Sequence, residues 1–450
     1  MENAMQEAAT TARQRVRHPK LAMVGLLLGA FVGMFSETSL NIALPKLGQA
    51  FGLSSATLQW LVTGYMLVIG IIMPLSSLIA KWFSTRKIAA FALGAFILGS
   101  VIAALAPSFG ILLAGRMIQG IGTGLVLPLM FAVAMQIFPP AKLGAVNGLM
   151  ALVIMLAPAI GPTLTGILLG VASWRWLFWS FVPVLLVALA FVATSLENVG
   201  ELTRPQVDGW SILESILGFS GIVGGASLAS RYGWGSWQTL ACLVVGLVSL
   251  AVFAKRQLKI ANPILNLRIL QNPGFRAGTL VVLLDFAAIL SAMYLLPQYL
   301  QNGAGVAVAL TGIIMLPGGV VNALTSAVAG RLADNLGARQ PAMLGFAIAL
   351  VGAVLLALAP ATAPVALVIL AHVVLMIGTP LAMAPSQTAP LNSLTAKEAG
   401  DGSAILNTCQ QVGGALATAL ATSCLEFGRQ AASGSAALRF TAGAHAGFCF

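Results

Sequence analysis

The feature that most constrains the fold of this chain is a succession of apolar segments, each about as long as a membrane is thick. A helix needs about 20 apolar residues to cross the hydrocarbon core of a bilayer. Segments of that length follow one another along the chain, separated by short and more polar connections. They predict thirteen membrane-spanning helices, at 21–44, 57–80, 88–107, 110–135, 145–170, 175–195, 210–230, 238–255, 275–300, 305–330, 341–360, 363–389 and 403–426.

The composition excludes a soluble protein. Of the 450 residues, 59% are hydrophobic and only 8% are charged, whereas a soluble domain usually carries about 25% charged residues. No soluble fold could bury this much apolar surface. The net charge of +11 does not indicate nucleic-acid binding, because the basic residues lie mainly in short connections on one side of the predicted membrane. We therefore predict an all-α polytopic protein that lies in a lipid bilayer and has no nucleic-acid partner.

The distribution of lysine and arginine predicts the orientation of the helices, because cytoplasmic loops of membrane proteins carry an excess of these residues. If the N-terminus lies in the cytoplasm, most of the basic connections fall on the cytoplasmic side. The outer side then receives only Lys46, Arg175, Arg231, Arg429 and Arg439. We therefore expect a multi-pass membrane protein with a cytoplasmic N-terminus.

The fourth predicted helix contains a single arginine within apolar sequence, Arg116. A guanidinium is costly in lipid, so this side chain should face protein or a water-filled cavity. Gly120 and Gly124 lie one helical turn apart on the same helix and should let a neighbouring helix approach closely.

The fifth predicted helix contains two prolines four residues apart, Pro158 and Pro162, with Gly161 directly before the second and Gly166 after it. Each proline removes a backbone donor and should kink or weaken the helix. A helix with a buried charge beside a helix that can bend suits a transport pathway that changes shape, and does not suit a passive anchor.

Three ionisable side chains lie at membrane depth, which indicates function by default. They are Glu37, Arg116 and Asp285, and Asn41 shares a helical face with Glu37. Loss of water favours the neutral carboxylic acid, so Glu37 and Asp285 could carry protons. Structural alternatives stay open: Glu37 as a paired or solvated carboxylate near the outer mouth, Arg116 as a partner of Gln119 or of backbone carbonyls, and Asp285 as a hydrogen-bond acceptor.

These segments resemble the motifs of a known family. The run Gly115 to Gly124 resembles motif B of the major facilitator superfamily, and the run Ala157 to Gly166 resembles motif C, which is associated with its drug:proton antiporter branches. The run Ser36 to Pro45 resembles motif D in the form found in a lincomycin-efflux-like subset. Six helices, then two, then the rest resemble the fourteen-helix drug:proton antiporter family of the EmrB/QacA type.

The connection after the second predicted helix resembles motif A of the same family, with Ser77 in place of a glycine and Lys81 in place of an aspartate. A better copy lies at the matching place in the second half, and it contains Gly330, Asp334, Gly337 and Arg339. Two copies at matching places indicate an internal repeat. In the family this motif is a cytoplasmic latch, so the resemblance implies that the first latch is rewired around Lys81.

The resemblance implies a major facilitator fold, with two six-helix bundles and two extra helices between them. The last helix is expected to be missing, because the chain after Glu426 is too short for another full span. The implied divisions are a cytoplasmic N-terminal segment (1–20), an N-terminal bundle (21–196), a linker with two extra helices (197–260), and a C-terminal bundle of five helices with a shortened end (261–450).

Polar and aromatic side chains inside the bundles are candidates for the lining of a substrate cavity, although such residues more often pack or anchor helices. These candidates are Asn41, Trp60, Tyr65, Gln298, Asn322 and Gln387. The run Gln411 to Gly414 matches the family, and we interpret it as a helix-packing segment.

The resemblance implies a proton-coupled multidrug efflux transporter of the bacterial inner membrane that exports lipophilic, often cationic, drugs by alternating access. Its partners would be a small-molecule drug, protons and the bilayer; a monomer suffices, and the sequence leaves the oligomeric state open. Two alternatives stay open: an exporter of an endogenous metabolite or siderophore, and an inactive shortened transporter. The sequence has no phosphate-binding loop, and its histidines, His18, His372 and His445, are too scattered for a metal site. We therefore predict no enzymatic activity, cofactor or metal.

Overall fold

The computed structural model describes residues 18–138, 140–199, 202, 208–260, 263–359, 363–394 and 398–449. The described chain is helical apart from short connections. The helices are α1 (Pro19–Phe51), α2 (Ser55–Leu58), α3 (Trp60–Trp82), α4 (Thr85–Leu105), α5 (Phe109–Ile137), α6 (Pro140–Val171), α7 (Arg175–Ser195), α8 (Gly209–Tyr232), α9 (Trp237–Lys259), α10 (Pro273–Gln298), α11 (Val308–Leu336), α12 (Arg339–Ala357), α13 (Val365–Asn392), α14 (Ala399–Ala431) and α15 (Ala436–Phe448). A 3-10 turn (Leu267–Gln271) precedes α10, and a π turn (Tyr299–Gly303) extends it.

The thirteen predicted helices are confirmed as α1 and α3 to α14. Among the described residues, 11 helices are long and apolar enough to cross a membrane. The sequence did not predict α2, a helix of 4 residues that begins after Ser54. The Ser54 hydroxyl accepts a hydrogen bond from the backbone N–H of Thr57 at 3.4 Å and so satisfies one of the free donors at the start of α2.

The long helices form two bundles that meet along a common interface. In the N-terminal bundle, α5 packs against α3 and α4, and α1 packs against α5, α6 and α7. In the C-terminal bundle, α13 packs against α11 and α12, and α10 packs against α13 and α14. Between the bundles, α6 packs against α11, α3 against α14 and α1 against α10. This arrangement confirms the predicted two-bundle fold.

The two extra helices, α8 and α9, form a hairpin that covers one edge of the interface between the bundles. A Cβ atom on Gly221 would lie 2.5 Å from the Cα atom of Gly246, so the two backbones are in direct contact. Small residues give this close contact between helices in lipid, where the hydrophobic effect does not hold them together. Helix α8 also packs against α3 and α14. The hairpin therefore touches both bundles through α8, while α9 lies outside.

Polar contacts fix the end of this hairpin at which α8 begins and α9 ends. Arg256 donates two hydrogen bonds to the Asp208 carboxylate, at 2.5 and 2.8 Å. These bonds lower the pKa of Asp208 to about 2. The buried Gln257 donates to Ser211 at 2.7 Å and accepts from the backbone N–H of Ile264 at 2.8 Å. The contacts join the start of α8 to the end of α9 and to the connection that leads into α10.

The expectation that the last helix is missing needs a correction. Helix α15 is present with 13 residues, and at 1.5 Å per residue it is about 20 Å long, short of the roughly 30 Å of a bilayer core. It packs against α14, where a Cβ atom on Gly428 would lie 2.8 Å from the Cα atom of Gly443. The C-terminal bundle thus has six helices, the last of which is shortened.

Candidate functional site

Arg116 is at the centre of the N-terminal bundle and has no exposed surface. Its Nε donates to the carbonyl of Leu61 at 3.2 Å, and its Nη1 donates to Ser36 Oγ at 2.6 Å and to Gln119 Oε1 at 2.8 Å. The guanidinium carbon lies 4.0 Å from the centre of the Tyr65 ring, whose face attracts a cation. The charge therefore joins α1, α3 and α5.

The partners of Arg116 are themselves held by further hydrogen bonds. Gln119 Nε2 donates to Ser100 Oγ of α4 at 2.8 Å. The Tyr65 hydroxyl donates to the carbonyl of Gly33 in α1 at 2.9 Å. Because the surrounding groups are fixed in this way, the guanidinium has one orientation inside the bundle, as a preorganised charge requires.

Glu37 lies next to this charge but makes no ion pair with it. Its side chain is 2% exposed, and neither carboxylate oxygen has a hydrogen-bond partner. The charge of Arg116 acts on Glu37 through space, and Arg116 Nη2 also lacks a partner. From α14, the amide of Gln411 approaches Glu37 without reaching the length and angle of a hydrogen bond. The structure thus brings Glu37 and Arg116 together and leaves the carboxylate open to a proton or a ligand.

Two further predicted polar residues are buried without full satisfaction. Asn41, one turn after Glu37, is 2% exposed, and its Oδ1 has no partner. Asp285 lies on α10 in the other bundle; it is 1% exposed, and its Oδ2 has no partner. A buried polar group without a partner costs about 1–3 kcal/mol, so such groups in a folded protein call for a functional explanation. These groups can bind protons, water or polar parts of a ligand.

The bundles are in close contact where α6 ends and α11 begins. Thr163 of α6 donates to the carbonyl of Gly312 in α11 at 2.9 Å. A Cβ atom on Gly166 would lie 2.8 Å from the Cα atom of Gly312. Gln301 donates to the carbonyl of Ile42 in α1 at 3.3 Å. We call the contact of α6 with α11 at Thr163, Gly166 and Gly312 the outer seam, because this end faces outward if the N-terminus lies in the cytoplasm as the sequence predicts. The two bundles are in contact at this end.

The predicted motif glycines of α5 and α6 lie at helix contacts. A Cβ atom on Gly120 would lie 2.9 Å from the carbonyl oxygen of Tyr65, and one on Gly124 would lie 2.9 Å from Ile72 Cβ, so α3 approaches α5 closely. A Cβ atom on Gly161 would lie 2.7 Å from Thr38 Oγ1 of α1.

The prolines expected to break α6 lie inside a helix that continues through them. Pro158 and Pro162 both lie within Pro140–Val171. Pro162 is buried and Pro158 is half-buried. Because neither proline has a donor for the helix, α6 lacks two backbone hydrogen bonds within its C-terminal half.

The residues predicted to line a substrate cavity are dispersed. Trp60 lies against α8, with its ring 3.7 Å from a Cβ position on Gly224, and Tyr65 lies under Arg116. The buried Gln298 accepts from Asn302 at 2.9 Å. The remaining two are half-buried: Asn322 lies 3.6 Å from the sulfur of Met376, and Gln387 lies on α13. The structure does not bring these side chains to one cluster.

The second copy of motif A spans the end of α11 and the start of α12. Gly337 has a φ of 78°, a backbone conformation that glycine adopts without strain. A Cβ atom on Gly330 would meet no atom within 4 Å, and Arg339 is exposed at the first position of α12. The side chains of Asp334 and of Ser77 in the first copy lie outside the described residues.

Sequence reasoning missed two partners in the site. Ser36 was named only as the first residue of the run that resembles motif D, yet it accepts a hydrogen bond from Arg116. Gln411 was interpreted as packing, yet it approaches Glu37. A polar side chain in an otherwise apolar helix was the available signal for both residues.

The sequence matches the model of the Major Facilitator Superfamily over residues 26–418. The Lincomycin resistance protein LmrB of Listeria monocytogenes is 43% identical over 95% of this chain and 90% of its own length. The Lincomycin resistance protein LmrB of Bacillus subtilis is 45% identical over 93% of this chain and 88% of its own length. The Multidrug resistance protein Stp of Mycobacterium tuberculosis is 27% identical over 90% of this chain and 75% of its own length.

Solved structures of low sequence identity share the fold. The xylose transporter XylE from E. coli, in a partially occluded inward open conformation, has a TM-score of 0.64 at 15% identity over 95% of both chains. A POT family transporter in complex with a thioalcohol conjugated peptide has a TM-score of 0.68 at 14% identity over 94% of this chain and 93% of its own.

Proposed function

This chain belongs to the major facilitator superfamily, and we propose that it is a proton-coupled multidrug efflux transporter of the bacterial inner membrane. It exports a lipophilic, often cationic, small molecule, and its N-terminus lies in the cytoplasm. Protons that enter from outside drive the exit of the drug. The names of the similar proteins, which are lincomycin and multidrug resistance proteins, support drug efflux over export of a metabolite.

The single observation that carries the proton coupling is the buried, unpaired Glu37 beside Arg116. A carboxylate away from water is stable only with a proton or with a compensating positive charge. Arg116 supplies such a charge through space, without a direct ion pair that would hold Glu37 ionised. Glu37 can therefore exchange a proton when its surroundings change. Asp285, which is buried in the other bundle, is the second proton-carrying candidate.

The closed outer side supports alternating access. In this conformation the outer seam separates the interior from the outer medium. Rocking of one bundle against the other about a midplane site would open the outer side and close the cytoplasmic side. The residues that line the proposed drug site would come together only in part of this cycle. They include Asn41, Trp60, Tyr65, Gln298, Asn322 and Gln387.

The test is flux of lincomycin into or out of proteoliposomes that contain the full chain and carry a pH gradient. We expect uphill lincomycin transport that follows the gradient and stops when the gradient is dissipated. Glu37→Gln, which fixes a neutral side chain, should abolish uphill transport and keep exchange of lincomycin across the membrane without a gradient. Glu197→Gln is the control, because it removes an exposed carboxylate that follows the end of α7, and it should leave uphill transport unchanged.

Three outcomes would contradict parts of this proposal. Lincomycin flux that ignores the pH gradient in the unmodified protein would exclude proton coupling for this substrate. Uphill flux in Glu37→Gln equal to that of the unmodified protein would remove Glu37 from the coupling. Proton flux driven by a metabolite, with no response to lincomycin or ethidium, would favour the alternative of an endogenous substrate.

A further inference from the structure

The run Gln411 to Gly414 of α14 lies between the two bundles. A Cβ atom on Gly70 of α3 would lie 3.0 Å from a side-chain carbon of Val412, its nearest neighbour. A Cβ atom on Gly414 would lie 2.7 Å from Met66 of α3, and one on Gly413 would lie 2.8 Å from Leu283 of α10. This run therefore touches the N-terminal bundle on one side and its own bundle on the other.

Gln411 has the only side chain of this run that can make hydrogen bonds. It is 5% exposed, its Oε1 has no partner, and its amide approaches Glu37 of α1. Arg116 from α5 and Tyr65 from α3 are the charged and titratable groups that act on Glu37, and both belong to the N-terminal bundle. From the C-terminal bundle, α10 packs against α1 and carries Asp285, and α14 supplies Gln411. The amide is thus a contact of Glu37 with the moving partner bundle.

We propose that Gln411 is a positioning residue for the proton-carrying group of Glu37, and that it links the protonation of Glu37 to the arrangement of the bundles. The inference rests on the proposed function. An amide has donor and acceptor atoms, so it can bind a carboxylate through its NH₂ group or a carboxylic acid through its oxygen. When the bundles rock apart, Glu37 loses this partner while Arg116 stays. Proton binding and bundle movement are then coupled in both directions.

The test compares Gln411→Leu with Gln410→Leu in proteoliposomes. Gln410 is the adjacent glutamine, also 5% exposed, so the control makes the same change in the same helix. For Gln411→Leu we expect the pH of half-maximal lincomycin transport to shift by about one unit, because the variant removes the polar group that approaches the Glu37 carboxyl group. Gradient-independent exchange should persist. Gln410→Leu should keep the pH profile of the unmodified protein.

The outcomes separate this inference from the function on which it rests. An unchanged pH profile in Gln411→Leu, in a protein whose pH dependence disappears in Glu37→Gln, would overturn the role of Gln411 alone. A pH dependence that survives in Glu37→Gln would contradict the proposed function first. Gln411→Asn and Gln411→His keep a polar side chain at this position. If they keep the pH profile of the unmodified protein while Gln411→Leu does not, the result would support a positioning role of Gln411 over a packing role.

Discussion

Replacing Arg116 by alanine should abolish transport and lower the thermal stability of the protein by many degrees. The substitution removes the hydrogen bonds that Arg116 donates to the Leu61 carbonyl, Ser36 Oγ and Gln119 Oε1. All three acceptors belong to buried residues. A buried acceptor left without its donor costs about 1–3 kcal/mol, so three together cost a large part of a typical stability of about 5–15 kcal/mol. The positive charge beside Glu37 is lost as well. Thermal unfolding in detergent micelles and lincomycin flux in proteoliposomes measure the two effects separately.

Arg116→Lys separates charge from geometry. Lysine keeps the positive charge but has no planar fork, so it cannot reach all three acceptors of Arg116. We expect this variant to fold with a moderate loss of stability and to transport at least about tenfold more slowly, the effect of about 1.4 kcal/mol on a barrier. Arg175→Lys is the control, because Arg175 is an exposed residue whose hydrogen bond goes to the carbonyl of Ala106 at 3.1 Å. Full transport by Arg116→Ala would exclude the proposed role of this charge.

The fold was largely predictable because its signals are local. Thirteen apolar segments became helices within a few residues of their predicted bounds, since a membrane requires every backbone group of a span to be satisfied within the helix. The short elements were not predictable in the same way. Helix α2 has only 4 residues, and α15 is too short for the length criterion, although Ser54 and Ser435 both cap their helices.

The site was predictable by residue type and not by partner. An ionisable residue in an apolar helix identified Glu37, Arg116 and Asp285, and all three are buried. The hydrogen bond of Arg116 to Ser36 spans 80 positions of the chain, so no local pattern shows it. The approach of Gln411 to Glu37 depends on how two bundles meet, which periodicity within one helix does not specify. The aromatic Tyr65 was expected to line a drug cavity, and the structure places it beneath Arg116.

Replacing Gly166 by valine should stop transport by preventing closure of the outer seam. A Cβ atom at this position would lie 2.8 Å from the Cα atom of Gly312, 2.9 Å from the carbonyl oxygen of Val308 and 3.0 Å from the backbone nitrogen of Gly312. All three neighbours are backbone atoms, which cannot rotate away as a side chain can. Overpacking of this kind costs about 1–3 kcal/mol, enough to shift the balance of the two conformations about fivefold to a hundredfold toward the open outer side.

The valine variant should also change which side of the membrane reaches the interior. We would place a cysteine at Ala309, next to the outer seam, in a protein whose four native cysteines are replaced, and label it from outside with a membrane-impermeant maleimide. Labelling of this cysteine should be faster in a protein that carries Gly166→Val than in one that keeps Gly166. Gly94→Val is the matched control, because a Cβ atom on this helical glycine meets no atom within 4 Å; it should leave labelling and flux unchanged. If Gly166→Val and Gly94→Val are labelled at the same rate and both transport lincomycin normally, the contact of α6 with α11 does not control access from outside.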